Sequence, residues 1–250
     1  IKYAQRLFEK RQRKGMTYDD ALYLMRQCNP FGMMMVGEGD ADAMLSGFSS
    51  KYADVIRPAI QIAGTNNPKK HIAGMYIVHT KRGPFFFADT TVNVQPGPQT
   101  LVDTTLMVAE QVEHFGLEPV IALVSYSNFG AIQGDSAIRS REAVEILHSD
   151  HPDLIVDGEM QMNYALNTEL RKQKFPFSTL GDKQVNTIIF PNLSSGNIAY
   201  KMMQEIGGGQ VTGPILLGIG KPIHILQMES DVRAIVDMAS FAVVDAQYRA

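Results

Sequence analysis

The chain of 250 residues holds a single cysteine, Cys28, so no intrachain disulfide is possible. That usage suits a reducing compartment, and a cytoplasmic location is expected. Cys28 falls in a helix-like segment, where a buried and inert thiol is expected. No stretch approaches the roughly 20 apolar residues of a membrane span, which argues against a membrane partner. The opening Ile1-Lys-Tyr-Ala-Gln-Arg6 lacks the apolar core of a signal peptide. It also lacks an initial Met, so the chain is expected to be a fragment of something longer. There are 23 Lys and Arg against 26 Asp and Glu, a net charge of −3. No basic surplus points to nucleic acid. Metal-ligand spacing is lacking too. His148 and His151 flank Ser149 and Asp150 without a further ligand group, and read as surface residues; no metal site is expected. There is no Gly-x-x-x-x-Gly-Lys-Ser/Thr phosphate loop. Gly218-Ile-Gly220-Lys221 is the nearest approach and has the wrong spacing. The absence of Gly-x-Ser-x-Gly argues against a serine hydrolase.

What is present reads as an α/β protein. Hydrophobic residues make up 45% and charged residues 20%, ordinary values for a globular chain. Helices are expected at Tyr3–Lys14, after Thr17, at Tyr52–Ala63, Thr100–His114, Ser136–Ser149, Met160–Gln173 and Ile198–Ile206. Cys28 precedes Asn29-Pro-Phe-Gly32, which should break a helix. Met33-Met-Met-Val36 then reads as a short buried strand. Gly37-Glu-Gly-Asp-Ala-Asp42 would follow that strand and open a helix. Its acidic residues and missing third Gly disfavour a pyrophosphate, so a turn with a cap is the better account. His71–His79 and Phe85–Asp89 form a hairpin by pattern. Pro119–Val124, Leu154–Val156 and Val185–Phe190 are further strands. This alternation indicates a mostly parallel sheet. The polar, helix-breaking Thr65-Asn-Asn-Pro-Lys-Lys70 is the best candidate for a crossing between lobes.

The segment from Gly213 to Val236 reads as a strand, a turn, a polar loop and the start of a long helix. Val232, Ile235, Val236, Ala239, Ala242, Val243 and Ala246 have the spacing of a core-facing stripe. The loop Gln227–Ser230 lies where α/β proteins place their chemistry, at the C-terminal end of a strand. It offers no nucleophile, base or phosphate clamp at Gln227 and Met228. Polar strand ends remain. Ser125, Ser127 and Asn128 follow one strand; Asn192, Ser194, Ser195 and Asn197 follow another and lead into a helix, whose free N–H groups favour an anion. Lys221 and His224 sit near the last strand, and Arg11 and Arg57 come from the first part of the chain. Each has a plain reading as a cap or surface contact. Together they suit a cleft for a polyanionic small ligand.

Several motifs carry a resemblance. Ala43-Met-Leu-Ser-Gly47, Arg57-Pro-Ala-Ile-Gln61, Leu123-Val-Ser-Tyr-Ser127, Val156-Asp-Gly-Glu-Met-Gln161 and Phe190-Pro-Asn-Leu-Ser-Ser-Gly-Asn-Ile-Ala-Tyr-Lys201 occur in order along the chain. With Gly213-Pro-Ile and Lys221-Pro-Ile they resemble the phosphate acetyltransferase/butyryltransferase family. Ala88-Asp-Thr-Thr-Val-Asn93, Ser127-Asn-Phe-Gly130, Arg141-Glu-Ala-Val-Glu145, Pro176-Phe-Ser-Thr-Leu180 and Val243-Val-Asp-Ala-Gln247 look like the C-terminal module of bacterial multidomain NADP-dependent malic enzymes. The resemblance implies two α/β lobes with a cleft between them, similar to isocitrate and isopropylmalate dehydrogenases. The first lobe, residues 1–68 and 218–250, would be incomplete; the second, 69–217, would carry a dimer interface within a homodimer or larger homo-oligomer.

The family moves acetyl between acetyl phosphate and CoA, with an Asp base and a Ser-Arg pair at the phosphoryl group. Arg11 and Arg57 match two family arginines. The Ser-Arg pair falls on Gln227 and Met228, and the Asp on Ala234. Met cannot neutralise an acyl phosphate and Ala cannot take a proton. The resemblance therefore implies a degenerate module that binds acetyl-CoA or CoA, using Arg11, Arg57, Ser125, Ser127, Asn128, Asn192, Asn197, Lys221 and His224. It would regulate a fused malic enzyme allosterically. NADP and a divalent metal, for oxidation of malate to pyruvate and CO2, would belong to the malic enzyme module. An active acyltransferase stays open, with Asp231, Glu229 or His224 as replacement base. So does a purely structural oligomerisation module.

Overall fold

A computed structural model describes residues 1–49, 52–66 and 71–249. In chain order its elements are α1 (Lys2–Arg11), α2 (Tyr18–Leu24), α3 (Cys28–Glu38), β1 (Met44–Ser46), α4 (Tyr52–Ala63), β2 (Ala73–Thr80), β3 (Gly83–Ala88) and α5 (Pro98–His114). Then come β4 (Ile121–Val124), α6 (Asp135–Asp150), β5 (Val156–Met160), α7 (Met162–Leu166), α8 (Thr168–Lys174), β6 (Thr187–Ile189), α9 (Leu193–Glu205), β7 (Gln210–Leu217), β8 (Ile223–Ile225) and α10 (Val232–Tyr248). The chain divides into two compact units, Ile1–Lys70 with Pro214–Ala250, and His71–Gly213. Of the segment expected to cross between lobes, residues 67–70 lie outside the described residues.

The second unit is built on a mixed sheet of order β5-β4-β6-β3-β2-β7. β2 and β3 are an antiparallel hairpin, paired from Met75 with Ala88 to Thr80 with Gly83. β3, β6, β4 and β5 are mutually parallel. Alternation along β3 sends neighbouring rings to opposite faces. Phe87 meets Phe190, and Phe86 meets Phe115 beyond the end of α5. One face buries Val78, Phe85, Phe87, Ala122, Ile188 and Tyr200 in a cluster that α7 and α9 help close. Tyr200 of α9 stacks on Tyr76 of β2 at 3.9 Å. On α5 the expected line Leu101, Thr105, Val108 and Val112 is buried.

The first unit is mainly helical around a two-stranded parallel sheet, β1 with β8. α3 and α4 pack on each other, and α10 packs on both strands. Its core holds Leu7, Met33, Met34, Val36, Val55, Ile62, Ile223, Ile225, Met238 and Phe241.

Five local expectations are corrected. Met33–Val36 is the middle of α3, not a strand; a short apolar run has the same pattern in a buried helix as in a buried strand. Pro30 does not break α3, because it sits in the first turn, where no intrahelical N–H bond is needed. Gly37–Asp42 therefore closes a helix, with Gly39 as the left-handed C-cap at φ 80°. Cys28 is exposed at the start of α3, not buried. The stripe on α10 is buried only at Ala242: Val232, Val236 and Val243 are 78%, 56% and 56% exposed, while Met238, Phe241 and Asp245, outside the stripe, turn inward beside Ala242.

Two boundaries also move. β5 runs through Asp157-Gly-Glu159, where the sequence pattern ends the strand, because both carboxylates are buried and hydrogen-bonded. The helix expected at Met160–Gln173 is two helices, broken at Asn167, whose side chain caps α8 through the Leu170 N–H. Pro58 lies in the interior of α4.

Candidate functional site: two polar clusters

Because β3, β6, β4 and β5 are parallel, the loops that leave their C-terminal ends gather on one end of the second unit. Each is tied down by a buried acidic or amide group. Asp89, just past β3, is 4% exposed and accepts five hydrogen bonds, from the N–H groups of Gly74, Thr91, Val92 and Asn93 and from the Asn93 amide. α9 approaches that turn closely. A Cβ on Gly196 would stand 2.3 Å from the Asp89 carbonyl oxygen, so only glycine fits. Asn197 donates to the Thr90 carbonyl at 3.2 Å.

The loop after β4 is organised from β5. Ser125 N–H donates to the Met160 carbonyl, Phe129 N–H to the Glu159 carbonyl, and Gly130 N–H to Glu159 Oε1 at 2.8 Å. The Gln161 N–H donates to Asn128 Oδ1 and its side chain to the Tyr126 carbonyl. Ser125 Oγ accepts from Ser127 N–H, and Ser127 Oγ from Ile132 N–H. Ser125 and Ser127 thus spend side-chain acceptors on their own loop, and Asn128 spends its own on the residue that follows β5. Asn192 likewise caps α9 through the Ser195 N–H and hydroxyl. It also lines an open cavity of about 520 Å3 with Gln95 and Ser194.

A second cluster lies in the first unit. Arg11 ends α1, and its Nε is buried with no hydrogen-bond partner. Beside it, Lys10 reaches the Ile62 carbonyl at the end of α4. Burial pushes the Lys10 ammonium below its usual range. Glu38 opposes this, and the charges of Lys221 and Arg11 push it down further. Arg11 and Lys221 thus share one positive region with Lys10, a residue sequence reasoning missed because a lysine in a charged helix carries no pattern of its own. Arg57 is exposed on α4. His224 is fully buried on β8. Its Nε2 lies 3.0 Å from Asp245 Oδ2, and its Nδ1 has no partner. Burial pushes the Asp245 carboxyl up, but hydrogen bonds from His224 and Arg249, with their charges, outweigh it and hold it below its ordinary range.

The loop after β8 is chemically plain. Gln227 is half-buried and Met228 is 53% exposed. Ala234 lies in the first turn of α10 and donates its N–H to Asp231 Oδ1 at 2.7 Å. Asp231 is therefore the N-cap of that helix. No group of three or more metal-ligating side chains stands together among the described residues, and no helix there is long and apolar enough to cross a membrane.

The second unit has an α/β fold with a mixed sheet and polar loops at its strand ends, and the first unit gathers Lys10, Arg11 and Lys221 in one cationic region. The comparisons make the class specific: the chain belongs to the phosphate acetyl/butaryl transferase family, whose model matches residues 1–243. It is 37% identical over 258 residues to a phosphate acetyltransferase of Treponema pallidum, covering 99% of this chain and 76% of that protein. It is 35% identical over 247 residues to the NADP-dependent malic enzyme of Escherichia coli, covering 98% of this chain and 32% of the enzyme. The match is to the C-terminal region of such malic enzymes, so the chain spans about a third of their length. A crystal structure of a phosphotransacetylase from Streptococcus pyogenes superimposes with a TM-score of 0.92 at 34% identity, covering 99% of this chain and 75% of that one.

Proposed function

We propose that this chain is the phosphotransacetylase-like module of an NADP-dependent malic enzyme. In this reading it has lost transferase chemistry and binds acetyl-CoA or CoA to regulate the fused oxidoreductase. The observation that carries the proposal is the loop after β8. By the family resemblance, Met228, which is exposed, and the apolar Ala234 take the positions of the cation and the base that transfer needs. The nearby carboxylate that could substitute, Asp231, is engaged as the cap of α10. Of the other two substitutes, His224 is enclosed in the core of its unit and Glu229 is exposed beside that cap.

The candidate ligand contacts of this proposal are Arg11, Arg57 and Lys221 in the first unit, and the loops bearing Ser125, Ser127, Asn128, Asn192 and Asn197 in the second. In this reading the lobes are 1–68 with 218–250, and 69–217. The exposed face of α10 and the short two-stranded sheet support an incomplete first lobe. Exposed Ile198, Met202 and Ile206 on one side of α9 support a homodimer through the second. The whole protein would act in the cytoplasm. Regulation requires acetyl-CoA to prefer one assembly state, a coupling of roughly 1–3 kcal/mol.

The test is calorimetric titration of acetyl-CoA into the full-length protein, with a CoA-acetylation assay and a malate oxidation assay on the same preparation. Binding without acetyl transfer, with malate oxidation responding to acetyl-CoA, is the expected result. Malate oxidation indifferent to saturating acetyl-CoA would sink the regulatory role. A second reading, an active phosphate acetyltransferase, is favoured by the identity to the Treponema enzyme, which matches that to the malic enzymes. Acetyl-CoA formation abolished by Arg57→Gln would establish it.

A further inference from the structure

Lys10 sits in the last turn of α1 and stays open to solvent, yet its ammonium turns onto the Ile62 carbonyl near the end of α4. The backbone just past that carbonyl is pressed against the segment that leads into β8. The Gly220 N–H donates to the Gly64 carbonyl at 3.0 Å, and Thr65 bridges Ile219. A Cβ on Gly220 would stand 2.5 Å from the Ala63 carbonyl oxygen, so only glycine allows this approach. Lys221 follows directly, and the contact therefore brings its charge to the end of α1. The charges that face Lys10 are Glu38 on α3, Lys221 before β8, and Arg11 on its own helix. Glu38 also faces Arg6, at 3.6 Å from its Nε. Burial together with the two cations favours the neutral amine at Lys10, against the pull of Glu38.

We propose that Lys10 is a site of covalent modification, acylated on Nζ by an acyl phosphate that Arg11 and Lys221 draw to it. An amine attacks only through its free lone pair, and like charges beside it make that form more available. The same charges raise the local concentration of an anionic donor. The ammonium first loses a proton to water. The neutral amine keeps one N–H on the Ile62 carbonyl and attacks the acyl carbon. The C–N bond forms, the bond from the acyl carbon to the phosphate oxygen breaks, and phosphate leaves with that electron pair and the surplus proton of the nitrogen. The amide carries no charge, so a modified module holds anions less firmly at this place. Only the choice of donor rests on the family reading above; the reactivity of Lys10 rests on its own surroundings.

The test incubates the full-length protein with acetyl phosphate and, separately, with the neutral N-hydroxysuccinimide ester of acetic acid, and follows acetylation of each lysine by mass spectrometry. With the neutral ester, Lys10 should react severalfold faster than the exposed Lys172 and Lys174, and its rate should rise at a lower pH than theirs. With acetyl phosphate that margin should widen, and raised salt should narrow it again. Glu38→Gln removes the carboxylate that favours the ammonium and should speed Lys10 while Lys172 and Lys174 keep their rates. Lys221→Met should slow Lys10 with both reagents. Lys10 reacting with the ester no faster than Lys172 and Lys174, or unmoved by both substitutions, overturns the site. A margin that is present with the ester and no wider with acetyl phosphate overturns the acyl phosphate as donor, and leaves the binding reading of the module to its own calorimetric test.

Discussion

The loops of the two units are held by different means. In the second unit several loops are anchored by buried charged groups with several partners. Asp89 accepts five hydrogen bonds, and Asp157 accepts from the Gly158 N–H, the Ser178 hydroxyl and the Thr179 N–H. Arg171, fully buried, donates to the carbonyls of Tyr164, Ala165, Gly181 and Lys183, tying α7 to the loop that follows α8. In the first unit the loop after β8 includes a turn bond, Ser230 N–H to the Gln227 carbonyl, and the Asp231 cap. The contrast teaches where geometry is retained. Buried side chains brace the loops of the second unit, whereas the loop after β8 leaves Met228 53% exposed.

Replacing Arg171 with Met should have the largest effect. It strands four backbone carbonyls in the interior, and a loss of about 3–5 kcal/mol is expected. Urea unfolding followed by tyrosine fluorescence measures it, and Arg171→Lys should restore only part, since an ammonium has fewer donors. An equal response from an exposed arginine such as Arg57→Met would erase the distinction between the units.

Next is Asp89→Asn. The amide keeps one acceptor oxygen and turns its NH2 toward N–H donors, so a loss of about 2–3 kcal/mol is expected, with faster hydrogen exchange at Thr91 to Asn93. Unchanged exchange there would mean the loop is held by packing instead.

The pH response sharpens the comparison in the first unit. The Asp245 carboxyl is held below its ordinary range when folded. Its contribution is therefore fully present above the unfolded carboxylate pKa of about 3.9 and is lost as pH falls through the lower folded value. Stability should decline in that acid window, and Asp245→Asn should flatten the decline while lowering stability at neutral pH. An identical acid limb in the variant would show that Asp245 is not responsible.

The smallest effect is expected from Asp231→Ala. Loss of a single exposed cap costs about 1 kcal/mol. A melt by circular dichroism reads it, and a loss several times larger would reveal a loop after β8 as firmly organised as the loops of the second unit.

Much of this was legible from the residues alone. The hairpin of β2 and β3, the apolar line of α5 and the capping of α2 by Thr17 follow from local pattern and cap chemistry, and the structure shows each. The family was legible because motifs such as Phe190-Pro-Asn-Leu and Val156-Asp-Gly-Glu keep their order. Local pattern could not separate helix from strand at Met33–Val36, since a short apolar run satisfies both. Nor could it say which side of α10 faces inward: both sides carry apolar residues, and packing on β1 and β8 selected Met238, Phe241 and Ala242. The candidate site divides the same way. Polar residues at strand ends were evident from sequence. Only the tertiary structure decided that Ser127 and Asn192 brace their own loops, that Asn128 holds the start of the segment after β5, that His224 is buried against Asp245, and that Lys10 joins Arg11 and Lys221. A side chain's residue type limits the bonds it is able to make, but the neighbours that take them up come from distant parts of the chain and meet only on folding.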